Sequence, residues 1–187
     1  MMKRNNFPFS AVLGLNHAKT AILIVLVNPR AGGLLISGPR GIGKSTLMRS
    51  TQELIERPWR DIPVSVTEDR LFGTIDTEKA IYSGQKKLYP GIINEADQGV
   101  LYLDDANLLR EDLLDSILNI AEVGAYQLER DGLSLRCDTS FTVIAAINPE
   151  SGMLSGACLD QFGLFVNVDN IHDENTRCLL YTSPSPR

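Results

Sequence analysis

The apolar run Leu34-Leu35-Ile36 leads directly into Gly38-Pro39-Arg40-Gly41-Ile42-Gly43-Lys44-Ser45-Thr46. From Ser45 to Ile55 the spacing turns helical, with Leu47, Met48, Leu54 and Ile55 available for one face. A buried strand that turns through a glycine-rich loop straight into a helix constrains the fold more than any other stretch of this chain. A helix leaving a strand in this way packs back on a sheet and favours strands parallel to the first. The glycines let the loop curl so that its N–H groups converge, and the helix start adds a partial positive charge. In that context the spacing G-x-x-x-x-G-K-[ST] describes a cradle for a polyphosphate. The loop from Gly38 to Thr46 would surround the phosphates, Lys44 would reach the β- and γ-phosphates, and Ser45 would offer its hydroxyl to Mg²⁺.

Candidate strands alternate with helical segments along the rest of the chain, at Leu34–Ser37, Ile62–Val66, Val100–Asp104, Phe141–Asn148 and Leu164–Val168. This alternation predicts a parallel sheet covered on both faces. Val100-Leu101-Tyr102-Leu103 and Val143-Ile144-Ala145-Ala146-Ile147 are continuous apolar runs, as strands buried on two sides require. A core-facing helix is expected from about Asn16 to just before Pro29. The spacing predicts another over Glu111–Val123, with Leu113, Leu114, Ile117, Leu118 and Ala121 as its apolar stripe and Gly124 as its stop. Tyr126 to Arg136, with Asp131-Gly132 between alternating segments, reads as a β-hairpin that projects from the sheet.

At 187 residues there is room for one α/β domain and little more, and 43% hydrophobic with 22% charged residues describes a soluble globular protein. A formal charge of −5 argues against a nucleic-acid partner. Cys137, Cys158 and Cys178 are widely spaced and odd in number, which gives no disulfide framework and points to a reducing compartment. His17 and His172 stand apart from each other and from any cysteine pair, so no protein metal site is expected from them. The basic start Met1 to Asn6 is not followed by a long apolar region, and Ala18 to Val27 is too short to span a bilayer. The expectation is a chain with no secretory signal and no membrane span.

Val100-Leu101-Tyr102-Leu103 closes on Asp104-Asp105, about sixty residues after the glycine loop, the spacing of a second nucleotide motif. Ligand crevices of open α/β sheets lie at this carboxyl edge. Asp104 would hold Mg²⁺ beside Ser45, and Asp105 would orient or deprotonate an attacking water. Asn148, before Pro149, ends the next apolar strand. Its amide either positions the water or contacts the γ-phosphate, or it simply starts a turn.

At these residues the sequence resembles the AAA+ ATPases and, within them, the ATPase (I) subunit family of magnesium chelatase. The resemblance runs from Phe7 to about Arg177. Its most specific pieces are Thr67 to Ala80, Tyr89-Pro90-Gly91, Gly99 to Leu109, Glu129 to Arg136 and Asn148-Pro149-Glu150. It implies a P-loop α/β fold with a hairpin inserted before the strand that carries Asn148, and a homo- or hetero-oligomeric ring. It further implies ATP and Mg²⁺ as cofactors, Asp105 and Asn148 as catalytic residues, and partners comprising a von Willebrand-type subunit and a large porphyrin-binding subunit. The implied activity is ATP hydrolysis that drives Mg²⁺ insertion into protoporphyrin IX, in the cytoplasm or a plastid stroma. A cobaltochelatase ATPase subunit, a MoxR-like maturation chaperone and a weakly hydrolysing assembly subunit stay open as alternatives. The ATP-binding domain is expected over residues 1–168. The family's helical lid has no matching segment, and residues 169–187, with two Ser-Pro steps, read as a truncated or read-through polar tail.

Two positions depart from the family pattern. Asp104-Asp105 stands where the family has Asp-Glu. Leu159-Asp160-Gln161-Phe162-Gly163 stands where it has Leu-Asp-Arg-Phe-Gly, whose arginine reaches the neighbouring subunit. An arginine in that role is worth roughly 10³–10⁵ in rate. A homomeric ring of this chain is therefore expected to bind ATP and hydrolyse it poorly.

Overall fold

A computed structural model describes residues 8–75, 88–130 and 133–168. Its centre is a five-stranded sheet. β1 (Leu34–Ser37) lies between β8 (Thr142–Ile147) and β9 (Leu164–Asn167), β8 pairs with β5 (Val100–Leu103), and β5 pairs with the edge strand β2 (Trp59–Ile62). Every pairing is parallel. β1, β5 and β8 are buried at every position, which is why their sequences run apolar without alternation.

Successive residues of these strands feed two separate cores. Leu35, Leu101, Leu103, Val143, Ala145 and Ile147 pack on one face with Leu113, Leu114 and Ile117 of the helix Glu111–Val123. Leu34, Ile36, Val100, Tyr102, Ile144 and Ala146 pack on the other, against Ala18, Ile22 and Val25 of α1 (Asn16–Val27) and Leu47 and Met48 of α2 (Lys44–Gln52). The three-layer arrangement read from the alternation is the one found. The helix Glu111–Val123 has the expected bounds and ends on Gly124 at φ 78°, with the Gly124 N–H donating to the Ile120 carbonyl.

The strands expected at Val100–Asp104, Phe141–Asn148 and Leu164–Val168 are each shorter by one residue at one or both ends, and two elements differ more. The second strand is Trp59–Ile62 rather than Ile62–Val66. Trp59 and Ile62 turn into the core while Val64 is 40% exposed, and the Val66 N–H closes a turn on the Pro63 carbonyl. Pro63 has no N–H to give a sheet partner, so pairing stops before it. α2 ends at Gln52, not Ile55, and Leu54 is 51% exposed.

The hairpin is β6 (Ala125–Arg130) with β7 (Leu133–Asp138), an antiparallel pair separate from the main sheet; its expected Asp131-Gly132 turn lies outside the described residues. The Tyr126 hydroxyl sits 2.7 Å from the Phe72 carbonyl and 2.6 Å from Asn94 Oδ1, anchoring the hairpin base to its neighbours. A second small antiparallel pair, β3 (Gly73–Ile75) with β4 (Leu88–Pro90), has no counterpart in the sequence reading. Residues 76–80, His172, Cys178 and the tail 169–187 also lie outside the described residues. Among the described residues no helix is long and apolar enough to cross a membrane.

Candidate functional site

The strand order brings three motif-bearing strand ends together. β8 lies between β1 and β5, with Ser37 opposite Ile147 and Leu103 opposite Ala145. Gly38, Asn148 and Asp104-Asp105 therefore leave the sheet side by side at its carboxyl edge, and the Gly38 N–H donates to the Ile147 carbonyl at 3.2 Å. Residues far apart in the chain converge because parallel strands all end on the same side.

The glycine loop curls as its composition requires. Gly41 and Gly43 take φ of 82° and 95°, and a side chain at Gly41 would project into open space. Arg40, Gly41, Gly43, Lys44, Ser45 and Thr46 line one wall of a cavity of about 280 Å³, and Asp104 and Asp105 line the other. That volume suits a polyphosphate better than a whole nucleotide, since pockets for entire small molecules start at about 300 Å³. Ile42 turns away and packs on the α1-side core. The carbonyls of Gly38 and Pro39 accept from the Lys44 ammonium, the latter at 2.9 Å. Lys44 is 7% exposed. Burial pushes its pKa below the ordinary value, opposed by the nearby charges of Asp105 and Asp104. A buried ammonium satisfied only by loop carbonyls is poised to turn to a more anionic oxygen.

Ser45 Oγ donates to Asp104 Oδ2 at 3.1 Å across 59 residues of sequence. The other carboxylate oxygen, Oδ1, accepts from the Tyr102 hydroxyl at 3.0 Å. A hydroxyl beside a fixed carboxylate is a hard-oxygen donor set that suits Mg²⁺. Tyr102 was legible in principle: two residues before Asp104 on a strand, it points the same way. Burial raises its pKa well above the ordinary tyrosine range, reinforced by the Asp104 charge.

Asp105 adopts a left-handed conformation, φ 48° and ψ 49°, uncommon outside glycine. Its carboxylate lies 3.8 Å from the Arg40 guanidinium in a largely exposed pair. Such a pair is worth at most about 1 kcal/mol, so it holds the carboxylate loosely.

Asn148 is 2% exposed and stands at the crevice edge, outside the cavity wall. Its Oδ1 accepts from the Glu150 N–H at 3.2 Å and its Nδ2 donates to Ser151 Oγ at 3.1 Å, so its amide caps the turn Pro149–Ser151. Asn107, not anticipated from sequence, donates from Nδ2 to the Asn148 carbonyl at 3.1 Å and the Gly152 carbonyl at 3.0 Å, while its buried Oδ1 has no partner among the described residues. Gln161 is exposed at the opposite edge of the sheet, following the helix Gly156–Asp160, and donates to the Ala157 carbonyl at 3.4 Å.

A profile of the AAA domain (dynein-related subfamily) matches residues 33–161. The magnesium-chelatase 38 kDa subunit of Cereibacter sphaeroides is 36% identical over 209 aligned residues, covering 94% of this chain and 63% of that protein. The magnesium-chelatase subunit ChlI of Cyanophora paradoxa is 34% identical over 94% of this chain and 63% of its own length. The ChlI homolog of Methanocaldococcus jannaschii is 33% identical over 95% and 59%. The chain thus spans about three fifths of the length of these relatives. The 209-residue alignment also exceeds this chain's 187 residues, so the relative carries internal segments without counterpart here. Among solved structures, the complex between subunits BchI and BchD of magnesium chelatase superposes with a TM-score of 0.81 at 36% identity, over 95% of this chain and 66% of that one. With that profile spanning more than half its length and around a cavity of this construction, the chain belongs to the AAA domain family of ATPases, dynein-related subfamily, and is similar over nearly all its length to the 38 kDa subunit of magnesium chelatase.

Proposed function

We propose that this chain is the ATP-hydrolysing ring subunit of a magnesium chelatase, binding ATP with Mg²⁺ and driving partner subunits that insert Mg²⁺ into protoporphyrin IX. The observation that carries this reading is the contact of Ser45 with Asp104 beside the buried Lys44. It joins the glycine loop to the acid-tipped strand around one cavity. Similarity to magnesium-chelatase subunits across nearly the whole chain supports the choice of partners and substrate.

In this mechanism the loop N–H groups and Lys44 hold the β- and γ-phosphates, with Lys44 exchanging its loop carbonyls for phosphate oxygens. Ser45 and Asp104 hold Mg²⁺, which when bound draws off negative charge that builds on the phosphates. Asp105 takes the proton of a water whose oxygen adds to the γ-phosphorus. The bond from that phosphorus to the β–γ bridging oxygen breaks, and ADP and phosphate leave. Asn148 stands between loop and acids, and its position supports a role in placing that water once its turn contacts loosen.

The test is binding of a fluorescent ATP analogue with Mg²⁺, followed by chelation in the presence of the two partner subunits. Lys44→Ala should abolish both. Unchanged affinity in that variant refutes the site, and intact binding without any stimulation of chelation refutes the chelatase assignment. A second reading, a nucleotide-binding assembly subunit with little hydrolysis, is favoured by the short Asp105 side chain, its Arg40 partner and the uncharged Gln161.

A further inference from the structure

Asp105 and Asn148 follow the neighbouring strands β5 and β8, and both lead into irregular backbone. After β5 the chain passes through Asp105, left-handed at φ 48°, into the single turn Ala106–Leu108, which the Leu108 N–H closes on the Asp105 carbonyl at 2.8 Å. After β8 it passes through Asn148 into the turn Pro149–Ser151 and leaves by Gly152, whose φ of 121° favours glycine. A residue other than glycine keeps a left-handed conformation only where its surroundings hold it there. Ala106, fully buried, gives one such hold, and Asn107 gives another.

The Asn107 amide bridges the two segments. Its Nδ2 donates to the carbonyls of Asn148 and Gly152, at 3.1 Å and 3.0 Å, across 41 and 45 residues of sequence. These carbonyls stand at the two ends of the Pro149–Ser151 turn, so both N–H groups of the amide are spent on closing it. Burying Oδ1 without a partner among the described residues costs free energy, and the two donated bonds hold the amide in place in spite of that cost. The turn has two further bonds from the Asn148 side chain, to the Glu150 N–H and to Ser151 Oγ. Both must break before the Asn148 amide can reach a water or a phosphate. What then holds the turn is the Ser151 N–H on the Asn148 carbonyl at 3.0 Å, the Gly152 N–H on the Pro149 carbonyl at 3.4 Å, and the pair of bonds from Asn107.

We propose that Asn107 is a positioning residue for hydrolysis: it clasps both ends of the Asn148 turn to the segment that carries Asp105, so that the Asn148 amide can leave its own turn while the two groups keep their separation. Asn107 is not among the residues lining the phosphate cavity, and it acts through Asn148 and Asp105. This rests on the ATPase reading above and deepens it. The requirement is for two N–H donors aimed at two carbonyls, which a side chain of the same shape without donors does not meet.

The test is steady-state ATP hydrolysis by the full-length chain assembled with its partner subunits, beside binding of a fluorescent ATP analogue with Mg²⁺. Asn107→Ala should lower kcat by roughly tenfold to a hundredfold, the cost of a misplacement of about 1 Å, and leave KM and analogue affinity unchanged. Asn107→Asp keeps the shape but turns carboxylate oxygens toward the two carbonyls, and it should lose at least as much. In an Asn148→Ala background, Asn107→Ala should cost little more, because residues that act as a unit do not multiply their losses. Either Asn107 variant with the wild-type kcat overturns the proposal. A loss that multiplies in full on Asn148→Ala also overturns it, as does one matched by an equal loss of analogue affinity, since both mark a general effect on the fold. A wild type that binds the analogue but hydrolyses nothing, or whose hydrolysis survives Lys44→Ala, refutes the ATPase reading, and the proposal falls with it.

Discussion

Tyr102→Phe isolates one hydroxyl at the metal end of the site. The ring remains packed against Trp59, with centroids 6.0 Å apart, so the substitution removes only the oxygen that donates to Asp104 Oδ1 at 3.0 Å. A hydrogen bond to a charged group is worth about 1.5–3 kcal/mol, and part of that is offset because the buried phenol oxygen no longer has to be desolvated. A net stability loss of about 1 kcal/mol follows, which lowers the melting temperature of a domain this size by about 2–4 °C. The larger effect falls on the metal. With Oδ1 released, only the Ser45 contact fixes the Asp104 carboxylate, and loss of a supporting partner of a ligand costs 10–100-fold in metal affinity. The assay is titration of Mg²⁺ into the protein with a fluorescent ATP analogue at fixed concentration, beside the same measurement without Mg²⁺. The Mg²⁺ half-saturation point should rise about tenfold, while metal-free nucleotide affinity stays unchanged. An unchanged Mg²⁺ requirement in a variant whose melting point has fallen would show that Tyr102 merely packs, and the reasoning would fail.

Three further outcomes are expected. Asp105→Glu, which adds the methylene that the family pattern has, should raise the steady-state ATPase rate of the assembled complex by about tenfold at unchanged ATP affinity; a lower rate would count for the assembly-subunit reading. ATP affinity should fall as pH rises, beginning below the ordinary lysine value of 10.5, because the folded Lys44 gives up its proton earlier than a free lysine. Lys44→Arg, always charged, should flatten that profile in a fluorescence titration. The same depression makes the charged Lys44 a burden on the fold at neutral pH that lightens as pH rises. Ile117→Ala, at a position with no exposure in the core behind β5 and β8, should cost about 2–5 kcal/mol in urea unfolding and leave the phosphate-binding loop competent in the surviving folded fraction.

Much of the fold was legible because its signals are local. The helix Glu111–Val123 keeps its predicted bounds because an apolar stripe and a terminal Gly124 act within a few residues of each other. The β1–loop–α2 unit was equally plain. β2 was misplaced because Val64 and Val66 look like strand residues, while Trp59 belongs to the sheet only through pairing with Val100 on β5. No window around residue 59 contains that partner. The candidate site divides in the same way. Lys44, Ser45, Asp104 and Asp105 stand out by residue type and spacing. Tyr102 on Asp104 and Arg40 on Asp105 depend on side-chain directions fixed by packing.

By itself the sequence determined that a glycine loop joins a strand to a helix and that an acid pair caps another strand, since composition and periodicity act along the chain. Only the tertiary structure decided that β8 would lie between those strands, that the Asn148 amide would cap its own turn, and that Gly32 and Gly33 would accept the N–H groups of Gly163 and Leu164 after the Gln161 loop at the opposite edge. The physical reason is that such contacts depend on strand order and on backbone approach between distant segments, and these are set by how the two faces of the sheet fill with side chains.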